Sequence, residues 1–273
     1  MSSSVEIHNK SWYGDGIYAT QFLPVDNNPK RIMIFIHGLG AHVLFYKEWL
    51  CRFAEHGVAV FSFDMKGHGR SMGPRAVIGS YQDIFALIDQ SVEKVQMLFP
   101  DRPILLYGHS MGGNIALRYL QTGEKRSKIS LGIISAPWIL FDHFPYSGFT
   151  RLCQWFSKKG IQFQFSRKWK LFSSDLNDPL IHYKVDTQTF VDAQNHGKKI
   201  MDRDNTFEIK TLILHGALDR MTSPKTSQLL ASYHDRIDFK LFDKTKHHLH
   251  RSDERDVIFE YINNWIDESL RNI

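Results

Sequence analysis

"LLYGHSMGGNIAL", residues 105–117, is the stretch on which the reading of this chain turns. Leu105, Leu106 and Tyr107 close an apolar run of strand type. The residues after Gly112 follow helical spacing. Between the two stands one hydroxyl, Ser110, with Gly108 before it and Gly112 and Gly113 after it. A strand that turns at once into a helix needs a sharp backbone, and small neighbours let the helix come close. G-x-S-x-G in that setting lifts a serine oxygen clear of the end of a sheet. With each fixed residue at about 7% of positions, the bare pattern would arise by chance about 0.1 times in a chain of this size. Its weight therefore comes from the strand before it and the helix after it.

Working outward, short β-branched or aromatic runs recur at 32–36, 58–63, 104–107, 131–135, 211–215 and 238–242. Each is a candidate buried strand. Helical patterns lie between them at 81–99, 112–121 and 256–270. In the first of these Ile84, Leu87, Ile88, Val92, Val95 and Leu98 fall near one face. Strand and helix alternate, which predicts an α/β fold: a mostly parallel sheet covered by helices on both faces. "VEIH" and "GIYATQF" near the start should add antiparallel edge strands. From 137 to 206 no buried strand is apparent, and the interval is too long for a plain loop. It reads as an inserted cap or lid. The expected division is a core in two parts, 1–136 and 207–273, with the cap at 137–206.

The bulk properties fit that plan. The chain has 273 residues, 42% hydrophobic and 23% charged, enough to bury one large core. A net charge of +5 is too small and too scattered to point to nucleic acid. "MSSSVEIHNKSWYGDG" lacks the basic start and apolar run of a secretory signal. No apolar run is long enough to cross a bilayer. Cys51 and Cys153 are far apart and in no metal-like spacing, as expected of reduced thiols in a cytoplasmic protein.

A lone serine is a weak nucleophile; it needs a base, and the base an orienting acid. In an open α/β sheet the working groups stand beyond the carboxyl ends of the strands. Asp219 follows "TLILH" there, and His247, His248 and His250 follow "DFKLF". Asp64 and Asp142 also follow strands, but aspartates at strand ends are commonly turn formers. Asp219 is favoured because its compact turn comes one strand before the histidines. An oxyanion hole needs two N–H groups. The amide of Met111, after the serine, and that of Leu39, in the loop "HGLGAH", are the expected donors. His37 in that loop reads as a brace and His68 as a turn residue.

Together these pieces resemble the monoglyceride lipase and lysophospholipase branch of the α/β-hydrolases, also called serine aminopeptidase-like hydrolases. The resemblance rests on "HGLGAH" (37–42), "FDMKGHGRSMGPR" (63–75), "YGHSMGGNIAL" (107–117), "SAPWI" (135–139), "NDPLIHY" (177–183), "HGALDRMTSP" (215–224) and "KLFDKTKHHLHRS" (240–252). It implies an α/β-hydrolase fold with Ser110 as nucleophile, Asp219 as acid, and Leu39 and Met111 as oxyanion donors. The family's base is a histidine followed by any residue, Leu and a second His. "HHLH" then makes His247 the base, and His250 the histidine that lines the alcohol side of the substrate site. No metal or organic cofactor is implied.

Two positions depart from the mammalian-type lipases. Where those carry an acidic residue after the H-G-x-G loop and a basic one four positions on, this chain has Ala41 and Phe45. Two polar partners for glycerol hydroxyls are missing. The expected activity is hydrolysis of carboxylic esters of medium or long acyl chains, of monoacylglycerol or lysophospholipid type, through an acyl-enzyme. A peptidase or thioesterase on the same triad, and a non-catalytic binding scaffold, are the competing readings. Residues 151–170 carry six basic residues and no acidic one, with Trp155, Phe156, Phe163, Phe165 and Trp169 interleaved. Phe149, Leu152, Cys153 and Phe156 share helical spacing. That face either packs down as a plain lid or seats the cap peripherally on anionic membrane.

Overall fold

The computed structural model of the chain describes residues 5–9, 13, 16–140, 162–164 and 178–271. Its strands are β1 Val5–Asn9, β2 Ala19–Pro24, β3 Arg31–Ile36, β4 Val58–Phe63, β5 Ile104–His109, β6 Leu131–Ser135, β7 Gln162–Gln164, β8 Lys184–Asp186, β9 Thr211–Gly216 and β10 Ile237–Phe242. Its α-helices are α1 Lys47–Glu55, α2 Tyr81–Leu98, α3 Met111–Thr122, α4 Thr187–Ile200, α5 Pro224–Tyr233 and α6 Arg255–Arg271. Eight strands form one sheet in the order β1-β2-β4-β3-β5-β6-β9-β10. The β1–β2 and β2–β4 pairs are antiparallel, and the rest of the sheet is parallel. This is the expected sheet, with "VEIH" and "GIYATQF" at its antiparallel edge.

The central strands are buried on both faces, so they read as unbroken apolar runs. Alternate residues nonetheless serve different cores. Ile32, Ile34, Ile36, Phe61, Leu106, Ile134 and Ile213 share one core with Ile84, Ile88 and Val92 of α2, Ile115 of α3 and Phe190 of α4. Met33, Phe35, Val60, Leu105, Tyr107, Ile133 and Leu212 share the other with Trp49 and Phe53 of α1 and Ile258, Phe259 and Ile262 of α6. Each fully buried side chain of this size contributes ~1.5–3 kcal/mol relative to exposure. The period of two thus sets which helices cover which face.

Local signals fix the helix starts. Ser80 and Asp83 form a capping box at α2, Asp186 caps α4, and Ser223 caps α5 with Pro224 at its first position. One buried side chain ties several elements together. Asn114 of α3 donates to the carbonyls of Trp138 (2.7 Å) and Ala193 (3.1 Å) and accepts from the Tyr81 hydroxyl (2.7 Å).

The interval read as a cap is described at 137–140, 162–164 and 178–206. Its β7 and β8 pair antiparallel as a separate small sheet. Helix α4 buries Phe190, Val191, Ala193 and Ile200 in the α2–α3 core. The Phe149–Phe156 helical face, Asp142 and the basic residues of 151–170 lie outside the described residues.

Candidate active site

The rim at the carboxyl ends of β3, β5, β9 and β10 collects the candidate residues. Ser110 stands between β5 and α3, at the N-cap of the helix, with φ 55° and ψ −116°. A non-glycine residue at positive φ is strained and persists only where its surroundings hold it. Here the Ser110 N–H donates to the Ser135 carbonyl (3.0 Å), and its carbonyl accepts from Asn114 (3.1 Å) and Trp138 (3.0 Å). A Cβ on Gly112 would stand 2.2 Å from the Ile36 carbonyl oxygen and 2.6 Å from that of His37. Only glycine lets the first turn of α3 press so closely on the end of β3. Met111 is the first residue of α3, so its amide is one of the helix-start N–H groups without an intrahelical acceptor.

The loop after β3 lies against the serine. A Cβ on Gly38 would meet Ser110 Cβ and His109 Nδ1, each at 3.3 Å. The Gly38 amide donates to the Tyr46 hydroxyl (3.2 Å) and the Ala41 amide to the Gly38 carbonyl (3.3 Å). Leu39 sits between them, partly buried against the core. His37 is wholly buried and accepts from the Met65 amide at Nε2 (2.9 Å), so its Nδ1 donates to the Gly38 carbonyl (2.8 Å). Burial lowers its pKa to about 4, so it stays neutral and holds the loop as a brace. The stretch 178–183 grips the same loop from the other side. Asp178 pairs with His42 (2.8 Å), and the His182 amide donates to the Gly40 carbonyl (3.0 Å).

Asp219 and His247 meet across the turns after β9 and β10. His247 Nδ1 lies 2.7 Å from Asp219 Oδ2, with both side chains buried. The carboxylate is held by more than this bond. Its Oδ2 also accepts from the Thr222 hydroxyl (2.7 Å) and from His215 Nε2 (3.1 Å). Its Oδ1 accepts from the amides of Met221 (2.7 Å) and Thr222 (3.1 Å). Burial alone would push this carboxyl up. The charge of His247, with hydrogen bonds from His215 and His247, outweighs that and holds it well below the usual carboxylate range. Burial lowers the pKa of His215. A neutral His215 that donates its Nε2–H to Asp219 accepts from the Ser227 hydroxyl at Nδ1 (3.0 Å).

On the other side of His247 stand three more imidazoles. His109, the residue before Ser110, has its ring 4.9 Å from that of His247 and 5.4 Å from that of His250. Tyr46 accepts from Gly38, so its own proton goes to His109 Nδ1 (2.8 Å), and His109 Nε2 donates to the His247 carbonyl (3.2 Å). Burial first, then repulsion from neighbouring histidines, keeps His109 and His250 well below the ordinary histidine pKa. Phe45 packs edge-on against His250 (5.5 Å), and the Arg251 guanidinium lies over its other flank at 3.9 Å. Ala41 is fully buried.

The rejected acid and turn residues have other work. Asp64 accepts from the amides of Val43 (2.7 Å) and Arg70 (2.9 Å) and so joins two loops. His68 bonds the Lys66 carbonyl within its turn (3.0 Å). Sequence reasoning missed Thr222 and His215. Thr222 had a usable signal, since an aspartate commonly captures amides two and three residues on. His215 had none, being one polar residue in a buried strand.

A family model described as "Serine aminopeptidase, S33" matches residues 27–255. The monoglyceride lipase of Rattus norvegicus is 27% identical over 275 residues, covering 94% of this chain and 89% of the relative. A soluble variant of monoglyceride lipase from Saccharomyces cerevisiae, solved with a substrate analogue, superposes with a TM-score of 0.83 at 19% identity, covering 98% of this chain and 96% of that one. A monoacylglycerol lipase from Paleococcus ferrophilus superposes with a TM-score of 0.79 at 22% identity, covering 93% and 99%. The chain belongs to the serine aminopeptidase S33 family and has the α/β-hydrolase fold.

Proposed function

We propose that this member of the S33 family is a serine hydrolase of lipid carboxylic esters, with Ser110, His247 and Asp219 as its catalytic residues. The observation that carries the reading is the buried 2.7 Å pair between Asp219 and His247, with the His247 ring 4.9 Å from that of His109, the residue before a serine held at positive φ. In this mechanism Ser110 Oγ attacks the ester carbonyl while His247 Nε2 takes its proton. Asp219 holds the other ring nitrogen as donor and stabilises the imidazolium that forms. The amides of Leu39 and Met111 stabilise the oxyanion. The alcohol leaves with the proton from His247, and water then cleaves the acyl-enzyme by the same route.

The alcohol side bears on the substrate. Phe45 and Ala41 stand where a basic and an acidic residue would contact glycerol, and His250 remains as the polar group there. A dry wall of this kind binds a polyhydroxyl head group poorly. The reading is therefore an ester with a medium or long acyl chain, of monoacylglycerol or lysophospholipid type, in which the acyl chain supplies most of the recognition. The cap at 137–206 would shelter that chain. Its basic and aromatic segment, 151–170, would seat the protein peripherally on anionic lipid. Such binding weakens with salt and with the paired change Lys158→Glu and Lys159→Glu.

Two measurements test the proposal. Labelling by a fluorophosphonate should map to Ser110; an unlabelled native chain would leave a binding scaffold. Hydrolysis should then be profiled across monoacylglycerols, lysophospholipids, thioesters and aminoacyl amides. Turnover confined to amides or thioesters would overturn the ester assignment.

A further inference from the structure

Beside the base lies a cluster of imidazoles that takes no part in the proton transfers of ester hydrolysis. His109, His248 and His250 each offer one ring nitrogen, and these three nitrogens lie within 4.8 Å of one another. His109 and His250 are buried and His248 is half-buried. The buried Nε2 of His250 has no hydrogen-bond partner among the described residues, which costs free energy unless a ligand supplies one. Burial also favours the neutral form of both buried rings, the form that coordinates a metal.

We propose that His109, His248 and His250 form an inhibitory site for zinc(II). Zinc takes imidazole nitrogens at ~2.0–2.1 Å in tetrahedral geometry, and three protein ligands leave the fourth position to water. Tetrahedral contact requires the three nitrogens to close from their present spacing, and His248, the half-buried member of the cluster, provides the way in. Coordination is by neutral imidazoles and releases no proton.

Inhibition follows from what His109 would give up. Its Nε2 bonds the His247 carbonyl, and its Nδ1 bonds Tyr46, which in turn holds the Gly38 amide beside Leu39. If Nε2 ligates the metal, its proton moves to Nδ1, the Tyr46 hydroxyl turns away from that nitrogen, and the backbone of the base is released. If Nδ1 ligates it, the oxyanion loop loses a support. In either case a divalent charge stands next to the ring that must become imidazolium during acylation. The metal also occupies the alcohol side of the site at His250.

The test uses the chelator-treated full chain and zinc(II) alone. Equilibrium competition against a chromophoric chelator should find one zinc per chain with micromolar or tighter affinity. Cobalt(II) should give the visible absorption of a tetrahedral nitrogen site. Hydrolysis of a small activated ester should fall about tenfold as the site fills and return with EDTA. His248→Val should weaken zinc and cobalt binding about tenfold or more while leaving metal-free hydrolysis within about twofold. His248→Asn provides the same test with a polar side chain should valine disturb the fold. Unchanged zinc affinity in both His248 variants, no stoichiometric binding by the native chain, or full activity with zinc bound would each overturn the proposal. The coordination readouts do not depend on hydrolysis, so they stand or fall separately from the esterase reading.

Discussion

His247 has two unlike neighbours, and the contrast between them explains the design of the site. On one side Asp219 is a buried charge with five protein donors on its two oxygens. On the other, His109 and His250 are buried neutral rings, and one nitrogen of His250 has no partner among the described residues. A fully satisfied carboxylate cannot turn without losing several bonds at once, so it fixes the ring it holds. A neutral ring with a spare nitrogen, as in His250, can receive something else, whereas His109 does so only by giving up a bond. The base is anchored from one side and adjustable from the other.

The largest effects should come from breaking the anchored side and the nucleophile it serves. Ser110→Ala should lower kcat by about 10⁶ with a melting temperature close to the parent, and Asp219→Asn should lower kcat by about 10⁴. Retained turnover in either variant would contradict the proposed triad.

Stability against pH separates the two sides next. The folded state holds His109, His250 and His37 neutral, with His37 lowered to about 4. Below their unfolded value near 6.5 the unfolded chain binds protons that the folded chain does not. Their stabilisation is complete above about 6.5 and drains away as pH falls. For His37 the loss from pH 7 to 5 is on the order of 2 kcal/mol. Asp219 acts in another window, because its folded pKa is depressed. Its contribution is present above about 4 and is lost only as pH falls further. Denaturant unfolding at pH 7 and pH 5 should therefore show a clear drop from the imidazoles alone. Equal stability at the two values would mean that these rings are not held neutral.

Thr222→Val removes one donor from Asp219 and keeps the shape. A hydrogen bond to a charged group is worth ~1.5–3 kcal/mol, so kcat should fall about tenfold with KM nearly unmoved. Thr222→Ser should restore most of it. A shift in KM instead would show that Thr222 acts on substrate and not through the acid. The smallest effect belongs to the adjustable side. His250→Ala should change the ratio of kcat/KM between long-chain lipid esters by a few-fold, about 1 kcal/mol. Hydrolysis of a small activated ester should hardly change; a collapse there would make His250 part of the acylation machinery.

Much of this was legible in the sequence, for identifiable reasons. β4 and β6 match their apolar runs residue for residue, because strands buried on both faces need no alternation. β5 runs two residues past "ILLY" to His109, since the glycine and histidine there still pair with β6. Helix α2 was visible from its stripe, although Leu98 lies exposed at its end. Helices α1, α4 and α5 did not stand out. The nine residues of α1 are too few to establish a period. Helix α4 buries Thr187, Thr189, Gln194 and Gly197 among its apolar residues, and α5 buries only one large one, Leu230. The core tolerates such helices because their polar atoms are bonded, a fact that hydropathy does not carry. The triad positions were readable from strand order, whereas the donors that hold the acid depended on turn geometry.

One amide has a consequence for how this family could diversify. Asn114 holds the Trp138 and Ala193 carbonyls with its two N–H bonds. Those carbonyls lie on either side of the interval 139–192, so the chain leaves and rejoins the core at a single stitched point. Closing a longer or shorter loop across a fixed gap costs only ~0.6 kcal/mol per doubling of length. Within that interval 178–183 grips the loop after β3 and Phe190 and Val191 fill the core, so the exchangeable part is what precedes 178. A different insert could be spliced in there, bringing a different appetite for substrate, while the serine below keeps its place.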